Sequence, residues 1–234
     1  MDQKRIGIIG AMEEEVARLK ERMTDSKTES RAGMEFIRGT LCGRDAVVVR
    51  SGIGKVNAAV CAQILCDVYQ VDLIINTGIA GSLNAEIEIG DIVISTETLQ
   101  HDMDATGFGY EPGIIPRMDT SVFPADLRLA ALAAEACAKA NPDIRVFWGR
   151  IVSGDQFISD KNKKERLAKQ FQGLCVEMEG GAIAQAAYLN QVPYLVLRAI
   201  SDKADDSASM SYETFEAMAI RHTIRLMTEL LPML

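Results

Sequence analysis

The sequence predicts an α/β fold: a single-domain, three-layer α/β/α sandwich with a central mixed sheet, spanning residues 1–234. Three observations carry this. Short apolar runs alternate with amphipathic helical patterns along most of the chain. Those runs are apolar on both faces, which suits strands covered by helices on either side. One stretch, "EFIRGTLCGRDAVVVR", instead reads as a hairpin, so the sheet is mixed and not purely parallel.

The elements follow in order. "RIGIIG" reads as a buried strand, and "MEEEVARLKERM" as a helix with Val16, Leu19 and Met23 at helical spacing. The hairpin turns near Gly43–Arg44. "GKVNAAVCAQILCDVY" is a second helix; "VDLIINTG" and "GDIVIST" are strands. "PADLRLAALAAEACAKAN" is a third helix, started by Pro124 and stopped by Asn141–Pro142. "VFWGRIVSGD" is a strand and "DKNKKERLAKQF" a short charged surface helix. "LCVEMEGGAIAQAAYLN" begins as a strand and becomes a helix. "YLVLRAISD" is the last strand and "SYETFEAMAIRHTIRLMTELL" the closing helix. Residues 100–123, "QHDMDATGFGYEPGIIPRMDTSVF", form a long loop rich in Gly, Pro and aromatics. Loops of this length are often functional, and the plain alternative is a surface excursion.

Composition narrows the function classes. With 234 residues, 48% hydrophobic and 25% charged, the chain is long enough to bury a sizeable core without disulfides or a structural metal. Its net charge of −8 disfavours nucleic acid and anionic membrane as partners. The start, "MDQKRIGIIG", is too short in apolar residues for a secretory or membrane-spanning segment, so the expected location is cytoplasmic. The five cysteines form no CxxC and are read as small buried hydrophobes in a reducing compartment. Two histidines and scattered cysteines offer no ligand set, so no metal and no redox cofactor are expected.

In open α/β sheets ligands sit at the carboxyl ends of strands. Four strand ends here carry acids or glycines: "GAMEEE", "NTGIAGS", "EMEGG" and "AISDKADD". If those strands are parallel, Glu15, Glu179 and Asp202 gather around one pocket. The first end lacks both the GxGxxG fingerprint and the Walker Lys–Ser/Thr pair. Glu13, Glu14 and Glu15 would repel a phosphate but suit a neutral substrate and a water, since a carboxylate beside a water is a general base. The competing reading is a first helical turn whose acids favour the dipole, which fits Glu13 and Glu14. Gly78 and Gly81 either let a ligand approach the backbone or simply make a tight turn. Glu179 can accept two hydrogen bonds from a vicinal diol such as that of ribose, or can serve as a first-turn acid. Asp202 can cap a turn, or act as an acid if partial burial raises its pKa. Two carboxylates flanking one bond are the arrangement that cleaves a glycosidic bond through a cation-like transition state.

At these residues the sequence resembles the bacterial 5′-methylthioadenosine/S-adenosylhomocysteine nucleosidases, within the wider nucleoside phosphorylase family. The matching stretches are "IGIIGAMEEE", "SGIGKVNAA", "INTGIAGS", "GDIVIST", "HDMDATGFGYEPG", "IVSGDQFI", "VEMEGGAIA" and "RAISDKAD", in family order from near residue 6 to near residue 216. The resemblance implies a nucleoside phosphorylase-like fold and hydrolysis of the N-glycosidic bond to adenine and a thioribose. It implies that Glu15 is the general base for water and Asp202 the acid that protonates adenine at N7. It implies that Glu179 binds the ribose hydroxyls, with Met178 packed beneath the ribose. Phe157 would stack on adenine, the Ile158 backbone would bond its edge, and Ser201 would position Asp202. Met12, Ile53, Phe108 and Tyr212 would wall the 5′-alkylthio group, with Gly81 also at the substrate. Phe108 and Tyr110 lie in the 101–118 loop, which would reach the partner's site in a homodimer.

The related phosphorylases hold phosphate at the N-terminal loop, where this chain has "AMEEE"; the implied nucleophile is therefore water. Four positions depart from the pattern: Ile79 where some relatives have Ser, Ser82 for Gly, Ala105 for Val, and Tyr212 for Phe. A phosphate-dependent phosphorylase and a non-catalytic nucleoside sensor are the competing functions. 5′-Deoxyadenosine and aminodeoxyfutalosine are competing substrates.

Overall fold

The computed structural model describes residues 4–234. Residues 1–3, part of the stretch judged too short for a leader, lie outside the described residues. The strands are β1 (Ile6–Gly10), β2 (Thr24–Arg31), β3 (Met34–Leu41), β4 (Arg44–Arg50), β5 (Leu73–Ser82), β6 (Ile92–Gln100), β7 (Val122–Pro124), β8 (Val146–Ser153), β9 (Cys175–Glu177) and β10 (Tyr194–Asp202). The helices are α1 (Glu13–Lys20), α2 (Lys55–Asp67), α3 (Leu127–Ala140), α4 (Lys161–Phe171), α5 (Gly180–Leu189) and α6 (Ala208–Leu230).

The sheet is mixed, as expected. β1 runs parallel to β4 and β5, and β5 runs parallel to β10. β1, β5 and β10 are buried along their whole length, the pattern of strands covered on both faces. α6 packs with α1 and α3, and α2 with α5, giving the two helical layers. The sandwich is not fully open. β5 pairs β1 through Leu73–Asn76 and then takes up β9 at Gly81 and Ser82. Pairings β5–β10, β10–β6, β6–β8, β8–β9 and β9–β5 therefore close a ring at one end of the sheet. Arg198, deep in β10, faces into this region and is almost fully buried.

Three local expectations need correction. β2, "TDSKTESR", was not expected as a strand. It is an edge strand whose side chains are nearly all exposed, so it has no alternation to read, and its charges guard the edge. The β3–β4 hairpin turns at Cys42–Gly43, one residue before the expected place. Leu41 pairs with Arg44, and both central residues have positive φ (50° and 79°), as a two-residue type I′ turn demands. Pro124 does not start the third helix; it ends β7. The cap is Asp126, whose side chain accepts the N–H groups of Arg128 and Leu129.

All five cysteines are free. Among the described residues no helix is long and apolar enough to cross a membrane, and no group of three or more potential metal ligands is found.

Candidate active site

The parallel run of β1, β5 and β10 brings their carboxyl ends to one edge. β9 is antiparallel to β5 but only three residues long, so its end still delivers Glu177, Met178 and Glu179 to the same place. A cavity of about 450 Å³ opens there, and Glu15, Glu179 and Asp202 all line it. That volume suits a small organic ligand.

Glu15 is the third residue of α1, and helical geometry turns its side chain back over the helix start. One carboxylate oxygen accepts the N–H groups of Ala11 (2.7 Å) and Met12 (3.0 Å). The other accepts the Ile79 N–H from β5 at 3.2 Å. The acid thus caps its own helix and is clamped across two strands. Glu13 and Glu14 point to solvent, and Glu13 pairs with Lys20 at 2.7 Å. Burial pushes the Glu15 pKa up, against the pull of Arg198 and the three amides.

Asp202 sits at the end of β10. Ser201 Oγ donates to one of its oxygens and the Ala204 N–H to the other, both at 2.8 Å. Burial again raises the pKa and outweighs these bonds. A carboxyl held in this way can keep a proton for a leaving group. Gly81 matters by close approach: a Cβ there would stand 2.7 Å from Asp202 Oδ1.

Glu179 accepts the Gly54 N–H at 2.9 Å. Burial and the neighbouring Glu177 push its pKa up to about 7. Beneath these acids lies Arg198, which bonds Glu177 and, at 2.6 Å, Asn76 Oδ1. Asn76 in turn donates to the Ile9 carbonyl at 3.0 Å, and Glu177 accepts the N–H groups of Glu179 and Gly180 at the start of α5. Three carboxyl groups, those of Glu15, Glu177 and Glu179, therefore share one buried guanidinium. Sequence reasoning missed Arg198. Its signal was a lone arginine inside the otherwise apolar "YLVLRAISD", which had to be buried and so had to be paired.

The family comparison can now be stated. The phosphorylase superfamily model matches residues 5–232. A 5′-methylthioadenosine/S-adenosylhomocysteine nucleosidase from Bacillus thuringiensis subsp. konkukian is 42% identical over 228 residues, covering 97% of this chain and 98% of its own. This chain belongs to that nucleosidase family of the phosphorylase superfamily. The Neisseria meningitidis nucleosidase, solved with methylthio-immucillin-A, superposes with a TM-score of 0.94 at 38% identity, covering 99% of this chain and 100% of its own. The Colwellia psychrerythraea nucleosidase, solved with adenine, gives 0.93 at 40% identity, covering 98% of this chain and 95% of its own.

In this nucleosidase-family fold, Met12, Ile53, Gly81, Phe157, Met178, Ser201 and Tyr212 all line the cavity beside the acids. Phe157 is half exposed and meets the Tyr212 ring edge-on at 6.0 Å. The Tyr212 hydroxyl, absent from a Phe, donates to Glu216 at 2.9 Å and lies 3.3 Å from the Met12 sulfur. Ile158 is buried in a separate apolar cluster, so its side chain does not reach the cavity. Phe108 and Tyr110 do not line the cavity of their own chain; Phe108 is 87% exposed. Ser209 and Glu213, which sequence reasoning did not single out, join Tyr212 on the cavity face of α6 through their helical spacing.

Gly78 is the tightest point of the site. A Cβ there would overlap the Arg198 guanidinium and the Glu15 carboxylate. Gly78→Ala is expected to lower stability by about 1–3 kcal/mol through overpacking and to remove most turnover. Denaturant unfolding and an adenine-release assay on the same preparation check both. An active variant of parental stability would show that the pocket floor yields.

Proposed function

We propose that this chain hydrolyses the N-glycosidic bond of 5′-methylthioadenosine and S-adenosylhomocysteine, releasing adenine and the corresponding thioribose. The observation that carries the mechanism is the pair of buried carboxyls, Glu15 and Asp202, facing one cavity from two parallel strand ends. Glu15, once ionised, takes a proton from water as the water oxygen bonds the sugar carbon. The bond from that carbon to adenine breaks, and Asp202 gives its proton to adenine N7. The sugar is cation-like in between, and the surrounding carboxylates stabilise it. Ser201 supports this by fixing one oxygen of Asp202.

The other residues take the roles that the family resemblance implies. Glu179 accepts the ribose hydroxyls and Met178 packs beneath the ring. Phe157 stacks on adenine, and the Ile158 backbone bonds its edge. Met12, Ile53 and Tyr212 wall the 5′ substituent. Phe108 and Tyr110, which do not line their own cavity, complete the site of a second copy in a homodimer. The five free thiols support a reducing, cytoplasmic setting.

Water is the nucleophile because the turn after β1 carries acids, and none of the described residues lining the cavity is Lys or Arg. Adenine release is expected to be equal in phosphate-free and phosphate buffer, with free thioribose as co-product, measured by chromatography. Release only with phosphate would make the enzyme a phosphorylase. No release from either substrate would favour another adenosine-type substrate or a sensor.

A further inference from the structure

Outside the cavity, three charged residues from three segments close a ring of hydrogen bonds. Lys55 opens α2, Asp102 stands at the base of the long loop after β6, and Asp155 follows β8. Lys55 Nζ donates to Asp102 Oδ1 at 2.6 Å. The second Asp102 oxygen accepts the Asp155 N–H at 2.9 Å. Asp155 Oδ1 accepts the Lys55 N–H at 2.8 Å, so each residue is bonded to both others. The Lys55 and Asp102 side chains are only 18% and 14% exposed, which strengthens their pairing. None of the three lines the cavity.

The ring presses on Gly54. That residue precedes α2 with φ of 96°, and a Cβ on it would stand 3.1 Å from Asp155 Oδ1. A glycine in this conformation is free to turn. Yet its N–H must stay on Glu179, to which it donates at 2.9 Å. The next N–H along the chain, that of Lys55, is the one the ring holds. The two bonds flank the Gly54 Cα, so fixing one restricts the other.

We propose that Asp102 is a positioning residue for Glu179, acting through Lys55 and Asp155 on the Gly54 amide, and thereby sets the grip of the site on the ribose hydroxyls. This rests on the reading of Glu179 as the hydroxyl-binding carboxylate. It also gives the base of the long loop a direct mechanical link to the site.

The test compares kcat/KM for 5′-methylthioadenosine with that for its 3′-deoxy analogue in the full-length protein. The proteins are the parent, Asp102→Asn, Lys55→Met, Glu179→Gln and the Asp102→Asn/Glu179→Gln double variant. Loss of one hydrogen bond to a charged group is worth about tenfold or more in rate. The preference for the hydroxylated substrate is therefore expected to fall about tenfold in Asp102→Asn and in Lys55→Met. It should fall further in Glu179→Gln, and no further in the double variant. A purely structural role would lower both substrates alike and leave the ratio in place. An unchanged ratio in active Asp102→Asn and Lys55→Met, or a double variant worse than Glu179→Gln, overturns the proposal. If Asp102→Asn does not fold, Lys55→Met, which keeps its aliphatic stem, decides. A parent that does not release adenine from 5′-methylthioadenosine would instead remove the functional reading on which the inference rests.

Discussion

Glu15→Gln is expected to lower kcat for adenine release by about 10²–10⁴-fold, the usual value of a positioned general base, while the protein still folds. The glutamine carbonyl can take over the N–H groups of Ala11 and Met12 that the carboxylate now accepts. Its amide then faces the Ile79 N–H, donor against donor, at the weakest of the three contacts. Removing a buried charge works in the other direction, because burial raises the Glu15 pKa and so opposes the ionised form. The two effects oppose each other, and thermal unfolding should move little. Steady-state turnover and a melting curve on one sample test the pair of statements. A variant with parental turnover would leave the water without its base. A variant that loses turnover only because it unfolds would return Glu15 to the role of a helix cap.

Asp202→Asn is the second large effect, again about 10²–10⁴-fold in kcat, with a signature in pH. Asn is the same size and keeps both partners: its oxygen accepts the Ala204 N–H, and the Ser201 hydroxyl can rotate to accept from its amide. What it lacks is a transferable proton. In the parent, turnover requires Glu15 ionised and Asp202 protonated. Both carboxyls are raised by burial, so the acid limb lies above the ordinary glutamate range and an alkaline limb follows from Asp202. The alkaline limb is expected to vanish in Asp202→Asn and the acid limb to remain. Stability carries the matching sign. A carboxyl with a raised folded-state pKa contributes stability that is complete below its unfolded-state value and lost as pH rises through the folded-state value. At neutral and alkaline pH the Asn variant should therefore unfold at or above the parental temperature. A variant destabilised there in proportion to its lost activity would make Asp202 a structural residue.

The acids also show how far reading the chain could go. Three glutamates follow β1, and the sequence reading leaves Glu13 and Glu14 as first-turn acids and takes Glu15 as the acid of the pocket. The sequence did not say that Glu15 would reach a second strand, because the Ile79 N–H lies 64 residues away. Asp202 and Glu179 were legible as strand-end acids. Their raised pKa values come first from burial, joined at Glu179 by the Glu177 charge, and burial is a property of the packed chain that no local window contains. The Ser201–Asp202 bond joins neighbours in sequence and was anticipated. The Arg198–Glu177–Asn76 network joins β10, β9 and β5 and was not.

Strand edges behaved in the same way. The apolar strands announced themselves because both faces are buried. β2 did not, because an edge strand exposed to water has no hydrophobic pattern to show. The closed ring through β9 depends on a three-residue strand, too short to carry a period.

By itself, then, the sequence determined the strand–helix alternation, the four motif-bearing strand ends, the catalytic carboxyl candidates and the absence of a basic turn after β1. These depend on periodicity and on residues near one another in the chain. Only the tertiary structure decided what holds each acid, why burial raises their pKa values, and that Phe108 and Tyr110 do not line their own cavity. Those properties depend on exclusion of water and on groups brought together from distant segments, and both come into being only when the chain is packed.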